Sequence, residues 1–86
     1  MTTFAIFKSR SRALAFSQRL SSYGVRSVLV PTPREVGIGC GLSVCFDTRY
    51  LAKARAVAAL QFDSSFKGFY AYGYRGGKPT LLPVFK

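Results

Sequence analysis

The chain has 86 residues, 49 % of them apolar, and its 13 lysines and arginines against three acids give a net charge of +10. A chain this short is expected to form one domain that buries roughly 60–65 % of its unfolded surface, and the apolar content argues against disorder. Short apolar runs, with Lys8, Arg10 and Arg12 following the first of them, lead us to expect neither a membrane span nor a signal peptide, and two cysteines are too few to staple a secreted fold, so a cytoplasmic location with reduced thiols is expected.

Thr3-Phe4-Ala5-Ile6-Phe7, bounded by Lys8 and Ser9, predicts a first strand. Ser9 or Ser11 offers a helix N-cap, after which Ala13, Phe16 and Leu20 recur at helical spacing until Gly24 closes the helix. Val25 to Val30 predicts a second strand, which the prolines at 31 and 33 cannot prolong because they lack a backbone donor. The segment Pro31-Thr32-Pro33-Arg34-Glu35-Val36-Gly37-Ile38-Gly39-Cys40-Gly41 then joins proline, which fixes φ, to glycine, which frees it, and this shaped stretch ends at a thiol. Leu42, Val44 and Phe46 alternate with Ser43 and Cys45, which predicts a third strand with the two sets on opposite faces. Asp47 or Thr48 caps a second helix whose apolar stripe is Leu51, Ala54, Val57 and Ala58, with Arg49, Lys53 and Arg55 solvated. A last strand is expected over Phe66 to Tyr72.

The order β-α-β-β-α-β predicts an α+β, ferredoxin-like βαββαβ sandwich with two helices on one face of an antiparallel sheet and the other face open. This domain is expected to occupy residues 1–72. Residues 73–86 carry the breakers Gly73, Gly76, Gly77, Pro79 and Pro83 and predict an irregular basic tail, from which Leu81, Leu82, Val84 and Phe85 are candidates to dock.

Catalytic residue types are scarce: the chain has no histidine, its acids Glu35, Asp47 and Asp63 are far apart in sequence, and two cysteines cannot make a four-ligand site. Zinc, iron–sulfur and Ser/His/Asp chemistry are thereby set aside, and neither a metal nor a cofactor is expected. The glycines at 37, 39 and 41 lack dinucleotide-binding spacing and precede a strand, not a helix. What is left is Cys40 between Gly39 and Gly41, whose small size gives another molecule access and leaves backbone N–H groups to face a sulfur anion. Arg34, six residues earlier, could favour the same thiolate. The competing reading of Cys40 is a small buried residue at a strand start. Cys45 lies about 16 Å away along an extended chain, too far for a disulfide without a sharp turn, and reads as sheet packing.

Pro31-Thr32-Pro33-Arg34-Glu35 followed by Cys40-Gly41-Leu42, between a βαβ start and a βαβ finish, resembles the selenium/sulfur-carrier-protein-like family, small domains of formally unassigned function. The resemblance covers residues 4–72 and implies a cysteine, here Cys40, that carries sulfur or selenium as a persulfide-type species without turnover of its own. Such a domain would meet an acidic donor or acceptor protein, which the positive charge would steer. Family members place small hydroxyl residues before the cysteine where this chain has Gly37, Ile38 and Gly39, so backbone donors and Arg34 are the implied thiolate partners.

A rival reading starts from Lys67-Gly68-Phe69-Tyr70-Ala71-Tyr72, which begins like the ribonucleoprotein consensus of RNA-recognition domains and then departs from it. It makes the chain a basic nucleic-acid-binding module using the open sheet face. Against it stands ordinary strand packing of the aromatics, and a homodimer through the same face is a third reading.

Overall fold

The computed structural model describes residues 1–34, 41–60 and 64–84. Its elements in chain order are β1 (Thr2–Phe7), α1 (Arg10–Ser22), β2 (Val28–Pro31), β3 (Leu42–Asp47), a 3₁₀ turn (Thr48–Tyr50), α2 (Leu51–Leu60), β4 (Phe66–Arg75) and β5 (Lys78–Pro83). The strands form one antiparallel sheet in the order β2-β3-β1-β4-β5. The class is α+β with two helices, and the expected four-strand βαββαβ sandwich is corrected to a five-strand sheet.

The fifth strand comes from the stretch expected to be irregular. Gly76 and Gly77 take φ of +59° and +79°, so they make a two-residue turn with both central residues left-handed, the hairpin geometry that matches strand twist. Arg75 pairs with Lys78 across it, and the ladder runs on to Tyr70 opposite Pro83. The prolines do not break it, because strand residues alternate in the direction of their backbone groups. Val84 donates its N–H to Phe69 C=O at 2.8 Å, so the even-numbered residues face β4, and Pro79 and Pro83 place their donorless nitrogens at the sheet's outer edge. Leu81 is buried, and Leu82 and Val84 are partly buried, so three of the expected docking residues are held as strand and strand end; Phe85 lies outside the described residues. Replacing Gly77 by valine is expected to cost about 1–2 kcal/mol from the left-handed backbone alone, since no atom lies within 4 Å of where a Cβ would sit. A urea unfolding midpoint would register it.

Helix α1 forms as its pattern predicts. Ser9 caps it by accepting the Arg12 N–H at 3.3 Å, and Ala13, Phe16 and Leu20 are completely buried. At the other end Gly24, at φ +79°, donates to Ser21 C=O, and Val25 donates to Leu20 C=O at 2.9 Å. This double bond pattern is a Schellman cap, and it explains why β2 begins at Val28 and not at the expected Val25: Val25 is spent as the buried residue that closes the helix end. Asp47 accepts the Arg49 N–H at 3.0 Å and starts the turn that feeds α2, whose Ala54 and Val57 are buried.

One core joins both helices to one sheet face. Ala5 and Phe7 of β1, Val44 and Phe46 of β3, and Ala13, Phe16, Leu20, Val25, Ala54 and Val57 form it, with Phe66 and Phe69 of β4 packed against it. Four phenylalanines lie together at its centre: Phe7, Phe16, Phe66 and Phe69 have ring centroids 5.1 to 6.5 Å apart in tilted, edge or stacked pairs. Strand alternation sends Phe4, Ile6, Ser43, Cys45, Tyr70 and Tyr72 to the other face. No described helix is long and apolar enough to cross a membrane.

Candidate functional site

The Pro/Gly segment joins the sheet where edge strand β2 turns into β3. Pro31 pairs with Leu42, and one step further Thr32 N–H donates to Gly41 C=O at 3.3 Å, so the two chain ends are held as adjoining rungs. A side-chain bond reinforces the closure. Thr32 Oγ1 lies 2.9 Å from Ser43 Oγ, and Ser43 is completely buried. This pair could not be anticipated from the sequence, because Thr32 looked only like the residue between two prolines. A Thr32→Val replacement keeps the shape but leaves the buried Ser43 hydroxyl without this partner, for an expected loss of about 1–3 kcal/mol, readable by chemical denaturation.

Of the expected site residues, Arg34 is exposed on the N-terminal side of this neck, and Gly41 is partly buried on the C-terminal side. Cys40, Gly39 and Glu35 lie outside the described residues. The described residues form the frame: a tied neck with an arginine on one arm and Gly41, the neighbour of Cys40 in sequence, on the other.

The second thiol is fully described. Cys45 is free and partly buried in the middle of β3, between Val28 of β2 and Phe4 of β1 in register. Loss of water around it pushes its pKa up to about 11, because burial penalises the thiolate. A surface cavity of about 500 Å³ reaches it, bordered also by Arg26, Ser27, Asp47, Arg49 and Tyr50. Arg49 is taken up elsewhere, 3.5 Å from Asp47 and 5.8 Å over the Tyr50 ring. Cys45 is thus a sheet-packing thiol held in its neutral form.

Charge is distributed as the composition implies. Every described lysine and arginine side chain is exposed. Asp47 is held below the ordinary carboxylate range, first by the Arg49 backbone N–H and then by the guanidinium.

A family model described as "Putative Se/S carrier protein-like" matches residues 2–70. No curated protein matches the chain, and no solved structure matches it.

Proposed function

The chain belongs to the Se/S carrier protein-like family, and from that premise we propose that Cys40 is the carrier atom's anchor, taking up sulfur or selenium from a donor protein and passing it on. In the sulfur case the Cys40 thiolate attacks the outer sulfur of a donor cysteine persulfide. A new sulfur–sulfur bond forms, the donor's bond breaks, and the donor leaves as its thiolate with the electron pair; no external oxidant or reductant is consumed. Delivery is the same exchange in reverse sense, with an acceptor nucleophile attacking the terminal sulfur and Cys40 leaving as thiolate.

The observation that carries this reading is the environment of the other thiol. The chain has two cysteines, and Cys45, with its pKa pushed up to about 11, is a poor nucleophile at neutral pH. That leaves Cys40, which one peptide bond joins to Gly41 in the hydrogen-bonded neck. In this proposal Gly39 and Gly41 supply access and backbone N–H groups, Arg34 favours the anionic sulfur, and the surrounding lysines and arginines steer acidic donor and acceptor proteins.

The test is loading with a small-molecule persulfide, followed by intact mass. Wild type and Cys45→Ser are expected to gain one reducible sulfur atom and Cys40→Ser none. Uptake by Cys40→Ser equal to wild type would overturn the assignment.

A further inference from the structure

The helix-free face of the sheet carries a row of aromatic rings that the thiol chemistry does not use. Tyr70 pairs with Phe4 in register, and alternation along β4 puts Tyr72 and Tyr74 on the same face, while Phe69 and Ala71 turn toward the helices. Exposure rises outward along this row. Tyr70 is partly buried, Tyr72 is 46 % exposed and Tyr74 is 79 % exposed. The Phe4 ring meets Tyr72 edge-on at 5.6 Å and 80°, which fixes the plane of the middle ring. β5 backs the row with Leu81 opposite Tyr72 and Pro79 opposite Tyr74; β1 flanks β4 as far as Ala71, beyond which β4 and β5 run on as a two-strand hairpin that carries Tyr74.

We propose that Tyr70, Tyr72 and Tyr74 form a stacking platform for single-stranded nucleic acid, independent of the Cys40 chemistry. Alternate strand residues are about 6.7 Å apart, twice the rise of a stacked nucleic-acid strand, so successive bases reach successive rings only when the strand is extended and unpaired. Charge selects the class of partner. The chain carries +10, exposed Arg26 lies by the β2–β3 end of this face, and exposed Lys78 pairs in the hairpin beside Tyr74. A second copy would bring the same positive charge to the same surface and be repelled, whereas a phosphate backbone is attracted and presents flat bases to the rings. The platform's outer end and the Thr32–Gly41 neck lie at opposite ends of the strands, since Leu42 is level with Phe7 and Phe66, and Tyr74 lies eight residues on from Phe66.

The experiment is anisotropy of a fluorescein-labelled oligouridylate of about a dozen nucleotides, a length within the usual single-strand site sizes. Binding is expected at low salt and to weaken steeply as salt is raised. Tyr72→Ala and Tyr74→Ala are each expected to weaken it by about fivefold to 150-fold, and Tyr72→Phe and Tyr74→Phe to bind as wild type. The chain has no tryptophan, so stacking should also quench an emission that comes wholly from its five tyrosines. Tyr74 is mostly solvated, so Tyr74→Ala keeps the test decisive even where Tyr72→Ala fails to fold. Alanine variants that bind as wild type, a duplex that binds as tightly as the single strand, no binding at low salt, or a dimer in sedimentation that Tyr74→Ala dissociates would each overturn the proposal.

Discussion

When the two thiols compete for a limiting alkylating reagent at pH 7, Cys40 is expected to be modified at least tenfold faster than Cys45. Cys45, at a pKa of about 11, exposes only about one thiolate in ten thousand at that pH, and an ordinary thiol near 8.5 exposes about three in a hundred. That is a gap of roughly 300-fold. The more basic Cys45 thiolate is the better nucleophile, and a Brønsted slope of about 0.4–0.5 returns a factor of roughly 10–18. About 20-fold remains if Cys40 has an ordinary pKa, and more if Arg34 and backbone donors lower it. The sign with pH follows from the same numbers. Raising the pH toward 11 saturates an ordinary Cys40 while Cys45 still gains thiolate, so the difference narrows and then reverses, whereas lowering it toward 6 reduces both thiolate fractions together and leaves the ratio unchanged. Peptide-level rates across pH 6–11, a range of about five units chosen to span both values, check this. Equal rates at pH 7 would remove the chemical basis for assigning the carrier role to Cys40.

Phe16→Ala is expected to destabilise the fold by about 3–5 kcal/mol, the largest effect of any single substitution discussed. Phe16 is completely buried and is the ring that α1 inserts between Phe7, at 5.3 Å, and Phe66 and Phe69, at 6.4 and 6.5 Å. Truncating it removes the transfer free energy of the ring and leaves a cavity that three strand-borne aromatics cannot close without shifting. A domain of this size has a total stability of only about 4–13 kcal/mol at the usual 0.05–0.15 kcal/mol per residue, so the variant gives up roughly a quarter of it or more. Urea unfolding followed by circular dichroism measures the difference. A loss below about 1 kcal/mol would mean that the phenylalanine cluster does not organise the core.

Much of the fold was legible because its local and tertiary preferences agree. Ala13, Phe16 and Leu20 at helical spacing became the buried stripe of α1, and the Leu42, Val44, Phe46 alternation became the inward face of β3. Where the reading failed, a residue type had two structural uses. Gly76-Gly77 and the two prolines signal a loop when counted as breakers and a hairpin with an edge strand when their positions are considered, and only the register against β4 decides between them. Val25 fitted a strand by composition but serves the helix cap through its N–H. In Lys67-Gly68-Phe69-Tyr70-Ala71-Tyr72 the aromatics divide by parity, Phe69 packing 6.1 Å from Phe46 in the core while Tyr70 and Tyr72 take the other face, which a consensus match cannot reveal. For the candidate site, the sequence placed Cys45 on β3, where the structure has it, while Cys40 lies outside the described residues. It did not reveal the Thr32–Ser43 bond, which needs the β2–β3 register to bring residues 11 apart into contact.

Peptide mass mapping of wild-type protein exposed to a persulfide, before and after reductant, tests the carrier role most directly. One added sulfur atom is expected on the peptide that contains Cys40, removed by reduction, with the Cys45 peptide unchanged. The same increment on the Cys45 peptide, or on neither, would contradict that role.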